Sequence, residues 1–164
     1  MKRETIIGAI VVVLVIAGAY FFFTRYQKRE EASLPTENLP VSQELEEGFE
    51  TGLGIEVPEG VEKTSLEDVT GGAGKGMATR KFEENLFEHT VMASLPEPQT
   101  GKFYEGWLVR EGDFFSTGKM GEMKGGWYLF FSADKDYSDY NRVVVTLEEK
   151  DDRQPEKHIL EGSF

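Results

Sequence analysis

Residues Lys102–Arg110 read Lys-Phe-Tyr-Glu-Gly-Trp-Leu-Val-Arg, and this stretch decides the fold. Its large side chains alternate: Trp107 and Val109 fall on one face of an extended chain, while Tyr104 and Leu108 fall on the other. Aromatic side chains on both faces are typical of a strand with one face in a core and the other partly covered. We therefore predict a β domain with this strand at its centre.

Other short extended segments flank this strand on both sides. Further strands are predicted at Gly76–Phe82, Phe87–Ser94, Asp113–Thr117, Trp127–Ser132, Asn141–Glu148 and Lys157–Phe164, with Leu66–Thr70 as a candidate first strand. The segments between them are rich in Gly, Asn, Asp and Pro, which favour turns. About seven short strands with turns every eight to twelve residues predict an all-β fold, an antiparallel immunoglobulin-like β-sandwich over residues 66–164. An open barrel is the alternative.

The N-terminal part of the chain carries a long apolar run. Ile6–Phe23 contains 18 uncharged residues, and as a helix it would span roughly 27 Å, close to the thickness of a bilayer core. We predict a short cytoplasmic stub at 1–5 and one transmembrane helix at 6–24, with membrane lipid as its partner. A cleaved signal peptide is the alternative, because Ala17-Gly18-Ala19 resembles a cleavage site, but the apolar residues continue beyond it.

The composition becomes acidic and proline-bearing after this run. Residues 32–68 contain ten acidic side chains and a single lysine. Few apolar residues and like-charge repulsion predict a disordered acidic linker over residues 25–65, in which Val41–Phe49 is a candidate short helix.

The overall charge and the lack of cysteine exclude several functions. The chain carries 30 acidic and 18 basic residues, for a net charge of −12. Nucleic acid is therefore not expected as a partner, because binding it requires a basic surface. Without cysteine there are no disulfides, thiolate metal sites or cysteine nucleophiles.

Three patterns invite a catalytic or metal-binding interpretation, and none is complete. Gly71–Gly76 is similar to a phosphate-binding loop, but Gly76 stands where Ser or Thr would hold magnesium. Asp134–Asp139 alternates oxygen ligands, but it lacks the later glycine and glutamate of a calcium loop, so a turn is favoured. His89 and His158 are too few for a three-ligand zinc site without carboxylates. We predict no catalytic, cofactor-binding or metal residues, no cofactor and no enzyme activity.

Acidic and aromatic side chains in the strands are the remaining candidates. Glu105, Glu148 and Glu161 flank core positions, so ion pairs are expected, for example between Glu105 and Arg110 or Arg142. Strand aromatics are core residues first, and an exposed subset is the candidate surface for a ligand or a protein partner. That candidate surface comprises Trp107, Trp127, Tyr128, Tyr137 and Tyr140.

Three segments carry a family resemblance. Phe103–Val109 contains a Tyr-x-x-Trp-Leu strand, Ser116–Met120 begins with a Ser-x-Gly turn, and Val143–Phe164 contains a Val-Thr-x-Glu strand. Together they resemble the C-terminal, extracytoplasmic domain of RskA-type anti-sigma-K factors over about residues 90–164. Members of that family also carry a cytoplasmic helical domain that binds the sigma factor, whereas only five residues precede the apolar run here.

The resemblance implies a location and a role. It implies a bacterial cell-membrane protein with a single span, its N-terminus inside and its C-terminal domain extracytoplasmic. The implied function is a module for binding, sensing or envelope association. The alternative is a regulator of sigma-factor activity that works through a separate membrane anti-sigma partner.

Overall fold

A computed structural model describes residues 41–164, in which one α-helix precedes nine β-strands. The helix α1 is Gln43–Leu53. The strands are β1 (Glu62–Asp68), β2 (Lys75–Glu83), β3 (Leu86–Ser94), β4 (Phe103–Arg110), β5 (Asp113–Lys119), β6 (Gly121–Met123), β7 (Gly126–Ala133), β8 (Arg142–Glu148) and β9 (Lys157–Ser163).

All nine strands belong to one sheet, in the order β5-β4-β8-β9-β1-β2-β3-β7-β6. Every neighbouring pair in that order is antiparallel. The two outermost strands, β5 and β6, are separated in the chain by Met120 alone. The chain thus passes directly from a strand paired with β4 to a strand paired with β7, and the sheet is nearly closed into a barrel-like shape.

This arrangement confirms the all-β antiparallel prediction and each of the predicted strands to within a few residues. The immunoglobulin-like sandwich is not confirmed, because the strands form one sheet rather than two facing sheets. The barrel, which was the alternative, describes the sheet better. The short strand β6 was not predicted, because the glycines around it, considered without the rest of the fold, favour a turn.

The main core lies on the concave side of this sheet. Its buried apolar side chains include Leu66, Ala78, Phe87, Val91, Ala93, Tyr104, Leu108, Leu129, Val143, Val145 and Leu160. Aromatic rings pack closely within it, with the Phe115 centroid 4.6 Å from that of Tyr137 and 5.0 Å from that of Tyr140. The interior is therefore filled by side chains.

The alternation predicted for β4 is confirmed. Tyr104 and Leu108 belong to the main core, while Trp107 lies on the opposite face, where its Nε1 donates to Thr146 Oγ1 at 2.8 Å. Gly106 faces the interior, and a Cβ there would come within 2.8 Å of Thr117 Oγ1. Glycine is needed at that position because β5 and the core approach the strand so closely.

The helix α1 packs on the outer face of the sheet, in a second apolar cluster. Phe49, Leu53 and Val57 are buried against Met77 of β2 and Met92 of β3. Ser42 Oγ accepts a hydrogen bond from the Leu45 N–H, and Gly54, with φ of 67°, ends the helix in the left-handed conformation.

The linker prediction for residues 25–65 is therefore corrected within the described residues. Gln43–Leu53 is helical and β1 begins at Glu62. Apolar residues four positions apart, Phe49 and Leu53, bury one helical face, and this contact outweighs the acidic composition. Lys63 also pairs with Glu46 and offsets part of the negative charge.

The predicted stub at 1–5, the span at 6–24 and the first part of the linker lie outside the described residues. Across residues 41–164, no helix has the length and apolar character that crossing a bilayer requires.

Replacing Trp107 tests the burial of the outer face of β4. The side chain is 1% exposed, so Trp107→Ala is expected to lower the free energy of unfolding by about 3 to 5 kcal/mol through lost apolar contact and a cavity. Chemical denaturation followed by circular dichroism measures this change. Phe130→Ala is the matched control, because that ring is 51% exposed. Equal midpoints for the two variants would contradict the burial of Trp107.

Candidate binding site

The outer face of β4 and β5 borders a cleft of about 530 Å³. We call it the Glu105 cleft, and it is lined by Glu105, Trp107, Phe114, Phe115, Ser116, Gly118, Lys119, Asp151 and Arg153. Strand register places the first of these residues: Glu105 lies opposite Lys119 on β5 and opposite Thr146 on β8. The loop between β8 and β9 contributes Asp151 and Arg153.

Glu105 is a buried carboxylate within this cleft. Glu105 is only 5% exposed, and the Ser116 hydroxyl donates a hydrogen bond to its Oε1. Ser116 Oγ in turn accepts from the Gly118 N–H at 3.1 Å, which orients the hydroxyl. Burial raises the pKa of Glu105, the Ser116 hydrogen bond opposes that effect, and the negative charge of Glu148 adds to it.

A second buried carboxylate, Glu148, lies on the same face of the sheet. Register places Glu148 opposite Phe103, two residues along β4 from Glu105. Its Oε1 accepts from the Glu156 N–H at 2.9 Å, while its buried Oε2 has no hydrogen-bond partner in the described part of the chain. Two carboxylates buried on one face are costly unless a cation or donor offsets them.

The basic residues of the cleft supply that offset only in part, because neither Lys119 nor Arg153 forms an ion pair with Glu105 or Glu148. Lys119 lies opposite Glu105, but its Nζ is 3.0 Å from an Asp151 carboxylate oxygen and 4.0 Å from the Phe103 ring centroid. Arg153 makes no ion pair within residues 41–164. The cleft lining therefore carries both signs of charge, with Glu105 as its buried carboxylate.

The ion pairs predicted for Glu105 are wrong. Arg110 pairs with Asp113 at 3.1 Å and with Asp139. Arg142 pairs at 3.0 Å with Glu161, so an ion pair was correctly predicted for that glutamate.

The five predicted aromatic residues do not form one surface. Trp107 lines the Glu105 cleft, and Tyr128 lines a separate groove of about 220 Å³ between residues 55–61 and the outer face of the sheet. Trp127 donates its Nε1–H to the Leu95 carbonyl at 3.1 Å. The other two, Tyr137 and Tyr140, pack in the main core with their ring centroids 5.7 Å apart.

Several residues of the cleft were missed by sequence reasoning. Phe114 and Ser116 alternate along β5, which is a detectable pattern, since both then share a face with Trp107. No sequence pattern indicates Asp151 and Arg153, because they lie in a turn that reaches the cleft only when the chain is folded.

The backbone N–H groups of the glycine-rich loop bind a carboxylate of the same chain, that of Asp68. The Asp68 carboxylate accepts hydrogen bonds from the backbone N–H groups of Thr70 at 2.7 Å, Gly72 at 3.2 Å and Gly74 at 3.0 Å. These donors, which a phosphate would need, are already used, so the phosphate-loop interpretation of Gly71–Gly76 fails.

In the predicted turn Asp134–Asp139, a carboxylate is likewise bound by donors of its own segment. In Asp134–Asp139, the Asp136 carboxylate accepts from the Ser138 N–H at 2.8 Å and from its hydroxyl at 2.6 Å, as in a local turn. Over the described ranges, no group of three His, Asp or Glu side chains is placed to hold a metal ion.

Comparison with known proteins adds no relative, since no protein-family model, curated protein or solved structure matches this chain. What the fold and the cleft define is an antiparallel, barrel-like β domain with one packed helix and, on its outer face, a cleft that contains a buried carboxylate.

His89 makes the stability of the domain depend on pH. The ring is buried, its Nδ1–H donates to the Thr79 carbonyl at 2.9 Å, and burial lowers its pKa from 6.5 to about 4. Between these values the unfolded chain binds more protons than the folded one, so the free energy of unfolding should fall by roughly 3 kcal/mol as the pH drops from 6.5 to 4. Denaturation at several pH values measures this slope.

Two variants separate this effect from general acid sensitivity. His89→Leu should flatten the stability profile between pH 6.5 and 4, while Thr51→Ala, on an exposed side chain of α1, should keep the wild-type slope. An unchanged slope in His89→Leu would show that another group titrates there.

Asp68 is expected to titrate at unusually low pH. The Thr70 hydroxyl, with Oγ1 at 2.6 Å, and the loop N–H groups lower its pKa from 3.8 to about 2. The loop contacts should therefore be intact above pH 3.8 and be lost as the pH falls through 2. Thr70→Ala should raise the midpoint of the Asp68 carboxyl resonance, measured by NMR, and Thr51→Ala on α1 should leave it unchanged. A wild-type midpoint near 3.8 would contradict the loop geometry.

Proposed function

We propose that this protein is a single-pass membrane protein that displays its β domain outside the cytoplasm as a binding module. The proposed anchor is the apolar run Ile6–Phe23, and the proposed orientation follows from the family resemblance. The proposed recognition surface is the Glu105 cleft.

The observation that carries the proposal is a buried carboxylate on a cleft with aromatic walls. Phe114, which is 42% exposed, and Trp107 form one wall beside Glu105. A volume of about 530 Å³ lies within the usual range of small-ligand sites. Such a combination of apolar walls and a few oriented polar groups favours selective binding.

Binding is favoured over catalysis by the positions of the two histidines. His89 is buried on β3, where it contacts Thr79, and His158 contacts Glu161 on β9. Neither histidine lines the Glu105 cleft, so Ser116 has no histidine base there.

One observation also supports the alternative function, a regulator of sigma-factor activity through a separate membrane anti-sigma partner. Two segments that carry the family resemblance, Phe103–Val109 and Ser116–Met120, contribute Glu105, Ser116 and Lys119 to the cleft. In that case the anti-sigma partner would bind at the same surface.

Protease accessibility tests the topology. The full chain with a C-terminal tag is expressed in bacteria, and intact spheroplasts are treated with protease. We expect the tag to be lost while a cytoplasmic marker protein is preserved. Protection of the tag until the membrane is permeabilised would overturn the extracytoplasmic placement.

Site-specific photocrosslinking tests the recognition surface. A benzoylphenylalanine replaces Phe114, which lines the cleft, or Phe130, which is exposed on another part of the sheet. We expect an envelope component to be crosslinked from position 114 and not from position 130. Recovery of an anti-sigma protein would favour the alternative function, and equal or absent crosslinking at both positions would contradict the role of the cleft.

A further inference from the structure

We infer that the Glu105 cleft takes a ligand with a protonated amine, which pairs with the Glu105 carboxylate. The amine belongs either to a small alkylammonium compound or to a lysine side chain of a protein. This inference rests on the proposed binding function and adds the chemical class of the ligand.

The first argument is that Glu105 has an unused acceptor beside the cleft. Within the described residues its only hydrogen-bond donor is the Ser116 hydroxyl, which reaches Oε1. The second carboxylate oxygen, Oε2, accepts no hydrogen bond there, although the residue is 5% exposed. Apolar neighbours do not stabilise a buried carboxylate, whereas hydrogen bonds from positively charged donors do. Oε2 is therefore available to accept a hydrogen bond from a ligand in the cleft, and a positively charged donor would form the strongest such bond.

The second argument is that no cation of the described residues forms an ion pair with Glu105. Lys119, directly opposite Glu105, is held by Asp151 at 3.0 Å and by the Phe103 ring. Glu148 adds a further buried carboxylate on the same face, and its Oε2 lacks a donor among residues 41–164. The cleft lining holds two carboxylates, Glu105 and Asp151, and two cations, Lys119 and Arg153. Because Lys119 pairs with Asp151, Glu105 keeps a carboxylate without an ion-pair partner among residues 41–164.

The third argument concerns the walls of the cleft. Phe114 is partly exposed and its ring centroid lies 6.0 Å from that of Trp107, so the site offers an apolar surface next to a carboxylate. An alkylammonium group matches both features, because its methylene chain contacts the rings and its charge meets Glu105. The net charge of −12 also attracts cations and repels anions at longer range.

Titration calorimetry on the full chain in a non-ionic detergent tests the inference. The probes are n-butylammonium, the neutral n-butanol and the anion butyrate. We expect saturable binding of n-butylammonium alone, with at least tenfold weaker binding to Glu105→Gln. The matched control is Glu122→Gln, an exposed carboxylate on β6 that does not line the cleft, and it should bind like the wild type.

Glu148→Gln separates a binding role from a structural one. The amide oxygen can still accept from the Glu156 N–H, while the buried charge with the unpartnered Oε2 is removed. We expect an equal or higher melting temperature together with severalfold weaker binding of n-butylammonium. A lower melting temperature with unchanged affinity would overturn the contribution of Glu148 to the site.

Two results would overturn the amine class. One is saturable binding of butyrate instead, which would show that Arg153 and Lys119 select an anion. The other is a failure of both amine probes to bind saturably: n-butylammonium, and a lysine whose backbone is N-acetylated and C-amidated and whose ε-amine is free. Either result leaves the proposed function intact if the crosslink from position 114 is obtained. Tenfold tighter binding of the lysine probe than of n-butylammonium would support a protein source of the amine.

Discussion

The passage of the chain through Met120 joins the two ends of the sheet, and the rest of the domain depends on it. β5 pairs with β4 and β6 pairs with β7, so one nearly continuous extended segment brings the ends of a nine-stranded order together. Because the sheet curls in this way, side chains from opposite strands meet inside, as the contact of Phe115 on β5 with Phe131 on β7 shows. Closure also leaves few unpaired strand edges, which would otherwise be sites of aggregation.

On the outer face of β4 and β8, polar groups are buried rather than solvated. Trp107, Thr146 and Glu148 are almost completely buried there, as is Glu105. A folded domain of this size is only marginally stable, so the buried Glu148 Oε2, which has no hydrogen-bond partner among the described residues, is a substantial cost. Such a cost is commonly found at functional sites, where residues are arranged for a ligand and not for stability.

The alternation of apolar residues was sufficient to predict most strands, because a pleated strand repeats every two residues whatever its partners are. The turn at Glu84-Asn85, where both residues have positive φ, likewise follows from local chemistry. The acidic segment was misjudged for the opposite reason. Its composition indicates disorder, yet Phe49 and Leu53 are buried against Met77 and Met92, which are distant in the chain. Ion pairs were also misassigned, since Arg110 and Arg142 have nearer carboxylates across the strands.

The sequence by itself determined the β class, the strand positions and the central place of Lys102–Arg110, because these follow from interactions between neighbouring residues. Only the tertiary structure decided that the strands form one barrel-like sheet and that α1 covers part of it. The Glu105 cleft belongs to the second group as well. It joins residues of β4 and β5 to Asp151 and Arg153, more than thirty positions later in the chain. No local pattern encodes such a meeting, since it depends on the register of β4 with β5 and β8.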